Sequence, residues 1–301
     1  MQYSTGIVAA VGAYVLWGIL PIFWKALHAV SAQEILLHRM VWSLFFTLGL
    51  ILLMGRLRSL VSIIRNRRSL LLFSLAALLL SGNWLLYIWA VNAGYVIEAS
   101  LGYFINPLVS VLLGVIFLTE RLRPGQIGAL VIALFGVMYL TFYYGQFPWI
   151  ALTLACSFGL YGFLHKKVSA PAIEGLCLET MVLFVPAAAV LLAWEVDGRG
   201  AFGHGDLLQT LLLLGSGLIT SLPLLLFGFA AQRISLTHLG LLQYIAPSIN
   251  LLLGIFLYHE PFPPERMAGF AMIWSALFIY MAEGTLLRRR RQRALCSVGK
   301  G

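Results

Sequence analysis

Apolar residues fall into ten runs along the chain, at about 6–24, 35–55, 70–92, 97–119 and 125–144, then 148–164, 176–194, 207–231, 237–258 and 265–283, separated by short polar joints. Each run approaches the roughly 20 residues that a helix needs to cross a hydrocarbon core. Backbone groups in lipid must be bonded within their own segment, so the runs are predicted to be helices. Short alternating strands, the mark of a membrane β-barrel, are absent from the sequence. The expected fold is therefore all-α and integral to the membrane, with ten transmembrane helices and little chain left for a soluble domain.

The polar positions inside these runs reveal a repeat. Shifting Glu98–Pro124 by 140 residues lands it on His238–Pro264, and Leu101, Ile105, Pro107, Gly114, Glu120 and Pro124 fall on Leu241, Ile245, Pro247, Gly254, Glu260 and Pro264. Matched leucines would mean little between two membrane helices, but aligned prolines, a glycine and a terminal glutamate are informative. The chain reads as two halves, residues 1–145 and 146–287, followed by a basic tail, 288–301. With five spans in each half, the second half crosses the membrane in the opposite sense to the first. An inverted repeat lets one central site face either side in turn.

Composition agrees with the pattern. Hydrophobic residues make up 61% of the chain and charged residues 10%, against about 25% charged in soluble domains. The net charge of +9 reports topology rather than nucleic-acid binding. With the N-terminus in the cytoplasm, 16 of the 20 Lys and Arg fall on the cytoplasmic side and only Lys25, Arg39, Arg199 and Arg266 do not. Both termini are expected inside, and the first run is expected to be a retained span rather than a signal peptide. Cys156, Cys177 and Cys296 are odd in number, and two lie in apolar runs, where they act as small hydrophobes. No GxxxxGKS loop, HExxH or paired CxxC occurs, so no cofactor, metal or ATP-driven pumping is expected.

The segments Glu34–Ser43 (EILLHRMVWS), Gly82–Asn92 (GNWLLYIWAVN) and Glu98–Leu108 (EASLGYFINPL) resemble the RarD family of EamA-type permeases in the drug/metabolite transporter superfamily, as do Tyr161–Lys167 (YGFLHKK) and Leu239–Pro247 (LGLLQYIAP). The resemblance covers almost the whole chain. It implies ten helices in two EamA repeats, a bacterial inner-membrane location, and movement of small organic solutes such as metabolites or chloramphenicol-like drugs. It implies nothing for the arginine-rich tail.

Charged groups within spans cost roughly 2.5–3.5 kcal/mol at a helix centre, so each needs a partner or a wet cavity. The 140-residue shift carries Arg39 to Glu179 and Glu98 to His238. Two pairs are therefore expected, Arg39 with Glu98 near the outer face and Glu179 with His238 near the cytoplasmic face, acting as reciprocal gates. The competing reading is that each charge snorkels to its own interface. Glu179 and His238 are also the candidates for proton coupling, because histidine titrates near neutral pH.

For the solute itself, Trp17, Asn83, Tyr87, Tyr103, Asn106, Tyr161, Gln243, Tyr244 and Asn250 can face a shared cavity. Aromatic walls with a few amides suit a small amphipathic molecule. The alternative roles are interfacial belts for the aromatic rings and interhelical bonds for the amides. Pro107 and Pro247 are candidate hinges, and Glu120 and Glu260, each ending a helix, are expected to make interfacial caps or salt bridges. The expected partners are a small-molecule substrate, the lipid bilayer and, as a candidate coupling ion, the proton. A lipid-handling protein, scramblase or enzyme, is the alternative class, and it would call for a polar groove open sideways to the bilayer.

Overall fold

The computed structural model describes residues 2–93, 95–144, 147–168, 170–258, 267–269, 271–280 and 282–283; the side chains of residues 2, 91, 92, 96–98, 100, 143 and 144 are not among those described. Glu260, Pro264 and the basic tail lie outside the described residues.

The long helices are α1 (Gln2–Ala26), α2 (Ala32–Leu53), α4 (Arg67–Asn92), α5 (Val96–Leu118), α6 (Pro124–Tyr144), α7 (Trp149–Lys167), α8 (Ala172–Val196) and α9 (Leu207–Ala231). The next apolar run is built from α10 (Leu236–Gln243), α11 (Ile245–Leu252) and a π-helical turn, Leu253–Leu257. A shorter apolar helix, α12, covers Met267–Tyr280. Eight spans are long and apolar enough to cross a bilayer, the α10–α11 run among them and α7 and α12 not. No strand occurs among the described residues.

Helix starts follow local chemistry. Ser31, Asp206 and Ser235 cap α2, α9 and α10 by accepting from the backbone N–H three residues on, which satisfies donors that a helix N-terminus leaves unpaired. One element departs from the ten runs. The basic joint after α2 folds into α3 (Leu57–Arg65), an amphipathic turn that buries Leu60 and sets Ile63 and Ile64 against Phe73 and Val168. Such a helix lies along a membrane surface rather than across it.

Packing is inside-out relative to a soluble protein. Small residues fill the interior, including Ala10, Ala13, Ala77, Ala129, Ala133, Ala151, Ala155 and Ala230, whereas Leu53, Phe142, Val196 and Phe256 stand out on the surface. Small side chains let helix backbones approach closely where lipid offers no hydrophobic drive. One such close approach is at Gly217 of α9, where an added Cβ would lie 2.3 Å from the carbonyl carbon of Trp42 in α2.

The main contacts run between the two halves of the chain rather than within them. α1 lies against α9, α10 and α11, and α7 against α4 and α5; α2 packs on α8 and α9, α8 on α4, and α5 on α10. The halves interdigitate, and side chains from both meet along the centre.

The two matched prolines differ in effect. α5 runs unbroken through Pro107, whereas the run containing Pro247 is interrupted at Tyr244. The Tyr244 hydroxyl, fully buried, donates to Phe104 O at 3.2 Å and ties this break to α5.

Candidate functional site

One face of each of four helices converges on a cavity of about 220 Å³. α1 presents Tyr14, Trp17, Pro21 and Trp24; α5 presents Ala99, Gly102, Tyr103 and Asn106; α10 and α11 present Gln243, Ala246, Pro247 and Asn250. Within each set successive residues are one, three or four apart, the spacing of a single helix face. α4 adds Leu80, Asn83, Trp84, Tyr87 and Ile88, and α2, α7 and α9 close the wall with Arg39, with Leu154 and Phe158, and with Leu224. Tyr103 keeps 43% of its surface accessible within the bundle because it faces this space. Tyr87 meets it edge-on at 5.7 Å.

The amides are unequally committed. Asn83 Nδ2 donates to Leu154 O and to Ser157 Oγ, each at 2.8 Å, so this side chain bonds α4 to α7. Asn106 and Gln243 are 3% and 7% exposed. Neither shows a side-chain hydrogen bond to another described residue, and Asn106 Oδ1 is a buried acceptor without a partner. A buried polar atom left unpaired costs about 1–3 kcal/mol, which a solute or a water at the wall would relieve.

Arg39 is the only charged group among the described lining residues. Its Nε donates to Thr220 Oγ1 of α9 at 2.9 Å, and its guanidinium lies 4.7 and 4.4 Å from the ring centres of Trp24 and Trp84. Cation–π contacts of about 0.5–2 kcal/mol each and one charged hydrogen bond offset the cost of placing the charge there. No carboxylate pairs with it among the described side chains; that of Glu98, its expected partner, is not one of them.

Two expected lining residues stand elsewhere. Tyr161 is fully buried, stacks on Phe227 at 5.7 Å and donates to Glu179 Oε2 at 3.3 Å. Tyr244 is held by Phe104, as above. Both rings point into helix interfaces, not into the open space.

The expected Glu179–His238 pair does not form. Glu179 of α8, 1% exposed, bonds His165 Nε2 at 2.7 Å. His238 opens α10, with Nδ1 2.5 Å from Ser235 Oγ and its ring edge-on to Tyr3 and Tyr280. The reason lies in the packing: α8 lies on α2, α4 and α9, while α10 lies on α5 and α1. His165 was missed because the HKK triplet reads as the polar end of a span. α7 continues to Lys167 and carries His165 to 2% exposure with Nδ1 unpartnered.

The end of the bundle opposite the cavity is knitted shut. After α5, Thr119 takes a left-handed conformation (φ 53°) and the chain turns back, with Glu120 N–H donating to Gly114 O. The Glu120 carboxylate then caps α10, accepting from Leu236 N at 2.7 Å, Thr237 N at 2.9 Å and Thr237 Oγ1 at 2.7 Å. Gly114 makes room for it, since a Cβ there would fall 2.7 Å from Glu120 Oε2. Lys166 Nζ donates to Ile234 O, and Gln232 Nε2 to Ala170 O at 2.5 Å, at the same end. Thus Glu120 acts as a cap, as the sequence led us to expect, but on a helix of the other half.

These features define a multi-pass helical membrane protein with a polar, aromatic-walled central cavity. The EamA-like transporter family matches residues 4–142. The chain is 46% identical to protein RarD of Streptomyces exfoliatus over 97% of its own length and 93% of that protein's. It is 44% identical to the uncharacterized transporter YojE of Bacillus subtilis, over 93% and 94%. A protein of known crystal structure, 20% identical, superposes with a TM-score of 0.70 over 95% of this chain and 98% of that one, which shows the fold. The chain belongs to the RarD family of EamA-like transporters and is a membrane transporter of that type.

Proposed function

We propose that this protein is an inner-membrane permease that moves a small organic solute through the central cavity by alternating access. The observation that carries the reading is the cavity itself. It is walled by helices of both halves, lined by seven of the nine polar and aromatic residues expected there, and bounded at the opposite end by the Glu120 cap. We read the fold as ten spans in two inverted five-helix repeats with both termini cytoplasmic. The packing supports this. Replacing α1, α2, α4 and α5 by α7, α8, α9 and the α10–α11 run turns each main inter-half contact into another that is present: α1–α9 becomes α7–α4, and α2–α9 becomes α8–α4. In that orientation the cavity lies in the outer half and the Glu120 cap is the closed inner gate. The wall draws on α1, α2, α4, α5, α7, α9 and the α10–α11 run around a central space, which suits a soluble solute better than a lipid sliding along an open groove.

Proton coupling, in this reading, belongs to Glu179 with His165 rather than His238. These two buried groups face Tyr161 on α7, and the remaining ring neighbours of His165, Phe73 on α4 and Phe227 on α9, carry no charge. The test is uptake into liposomes of a panel of labelled amino acids, aromatic metabolites and chloramphenicol, with and without an imposed pH gradient. Saturable uptake that falls in Asn106→Ala and Gln243→Ala proteins supports the permease. No uptake of any member, together with lipid exchange between leaflets, would defeat it.

A further inference from the structure

The state of Arg39 narrows the class of solute. Its Nε is used by Thr220 and its guanidinium is in contact with two indoles, but no described side chain accepts from its two terminal nitrogens. Those nitrogens carry four N–H donors in a planar fork that matches a carboxylate. The described wall adds aromatic surface at Tyr103, the unpaired Asn106 Oδ1 and the Gln243 amide, and it contributes no acid that would hold an ammonium group. A cation with no counter-ion among the described side chains is compensated best by the ligand itself.

We propose that the cavity selects a monoanionic solute: a carboxylate, or a similar planar oxyanion, on a flat apolar body. Arg39 holds the anion, Trp24, Trp84 and Tyr103 cover the body, and Asn106 Oδ1 accepts from a donor on the solute. This rests on the permease reading and adds the charge class of its cargo. It also ranks solutes: a zwitterion brings an ammonium group for which the described wall has no partner, and a cation meets only repulsion.

The test uses four matched probes, 3-phenylpropanoate, 3-phenylpropanamide, 3-phenylpropylamine and phenylalanine. Binding to the purified protein is read by quenching of tryptophan fluorescence and by thermal stabilisation. The propanoate is expected to bind at least about tenfold more tightly than its amide, as a bidentate charged pair does over a neutral one, with phenylalanine between them and the amine last. Arg39→Gln should erase the preference for the propanoate. Arg39→Lys, which keeps the charge without the fork, should retain part of it and serves as the reporter if the glutamine protein is unstable. An amide that binds as well as the acid, a preference that survives Arg39→Gln, or phenylalanine binding as tightly as the propanoate would overturn the proposal. Failure of all four probes in a protein that still takes up members of the liposome panel would overturn the anion selectivity and leave the permease standing. Failure in both assays would remove both.

Discussion

Replacing Glu120 should release the end of the bundle that it caps. Its carboxylate takes two backbone N–H groups of the first turn of α10 and one hydroxyl, all within 2.9 Å. Removing an N-terminal cap costs about 0.5–2 kcal/mol, and a carboxylate at a helix N-terminus gains about 0.3–1 kcal/mol from the dipole where it is exposed to solvent. Glu120 is half-buried, so Glu120→Ala is expected to lose about 2 kcal/mol and Glu120→Gln, which keeps one acceptor without the charge, about 1 kcal/mol. At 1.4 kcal/mol per factor of ten, the alanine change is worth roughly 30-fold in the opening equilibrium of this contact. Hydrogen exchange reads it directly: the amides of Leu236 and Thr237 should exchange about 30-fold faster in the alanine protein and about fivefold faster in the glutamine protein. On the proposed alternating-access mechanism, a cysteine at Asn250, on the cavity wall, should at the same time react more slowly with a membrane-impermeant maleimide, because the population moves away from the state with this cavity open. Unchanged exchange at Leu236 and Thr237 would refute the argument that Glu120 closes this end.

Asn106→Ala and Gln243→Ala should each raise the KM for a transported solute by about tenfold while leaving the melting temperature within a degree or two, since neither amide bonds another described residue. Gly217→Ala should cost about 1–3 kcal/mol, seen as a fall in melting temperature, because its Cβ would meet backbone of α2 at 2.3 Å; Gly128→Ala, with nothing within 4 Å, should be silent. Glu179→Gln and His165→Ala should each uncouple uptake from a pH gradient, whereas His238→Ala should leave the coupling intact. Gradient-driven uptake that survives the His165 and Glu179 changes together would end that assignment.

The apolar helices and the cavity faces were legible in the sequence, the first from apolar run length and the second from helical periodicity. Eight of the ten expected runs are long and apolar enough to span a bilayer among the described residues. Trp17, Tyr103, Asn106, Gln243 and Asn250 sit on polar stripes of otherwise apolar helices, and a polar residue in lipid has few places to go. The partners of the charges were not legible. A repeat shift says which positions are equivalent, and Arg39 and Glu179 are equivalent, but it does not say which helices touch. Several of these partners come from the other half, since Arg39 of α2 meets Thr220 of α9, Asn83 of α4 meets Leu154 of α7 and Glu120 meets Thr237 of α10, while Glu179 stays within its own half on His165 of α7. His165 hid in a basic triplet at a helix end, and α3 hid in a basic joint whose composition reads as loop. Pro107 and Pro247 look alike in sequence yet differ in effect, because a proline kink depends on the surrounding bonds.

Arg39 and Glu179 occupy equivalent places in the two halves and carry opposite charge. Under the exchange of halves proposed above, the vestibule that opens outward has a cation at its wall, and the one that opens inward has an acid there, shielded by His165. A solute carried across therefore trades one neighbour for its electrostatic opposite. On that proposal an anion is held by Arg39 in one vestibule and faces the Glu179 carboxylate in the other. Concentration gradients would still fix the net direction of flux under the proposed mechanism, while two faces of unlike affinity would make entry and exit of the same molecule saturate at different concentrations.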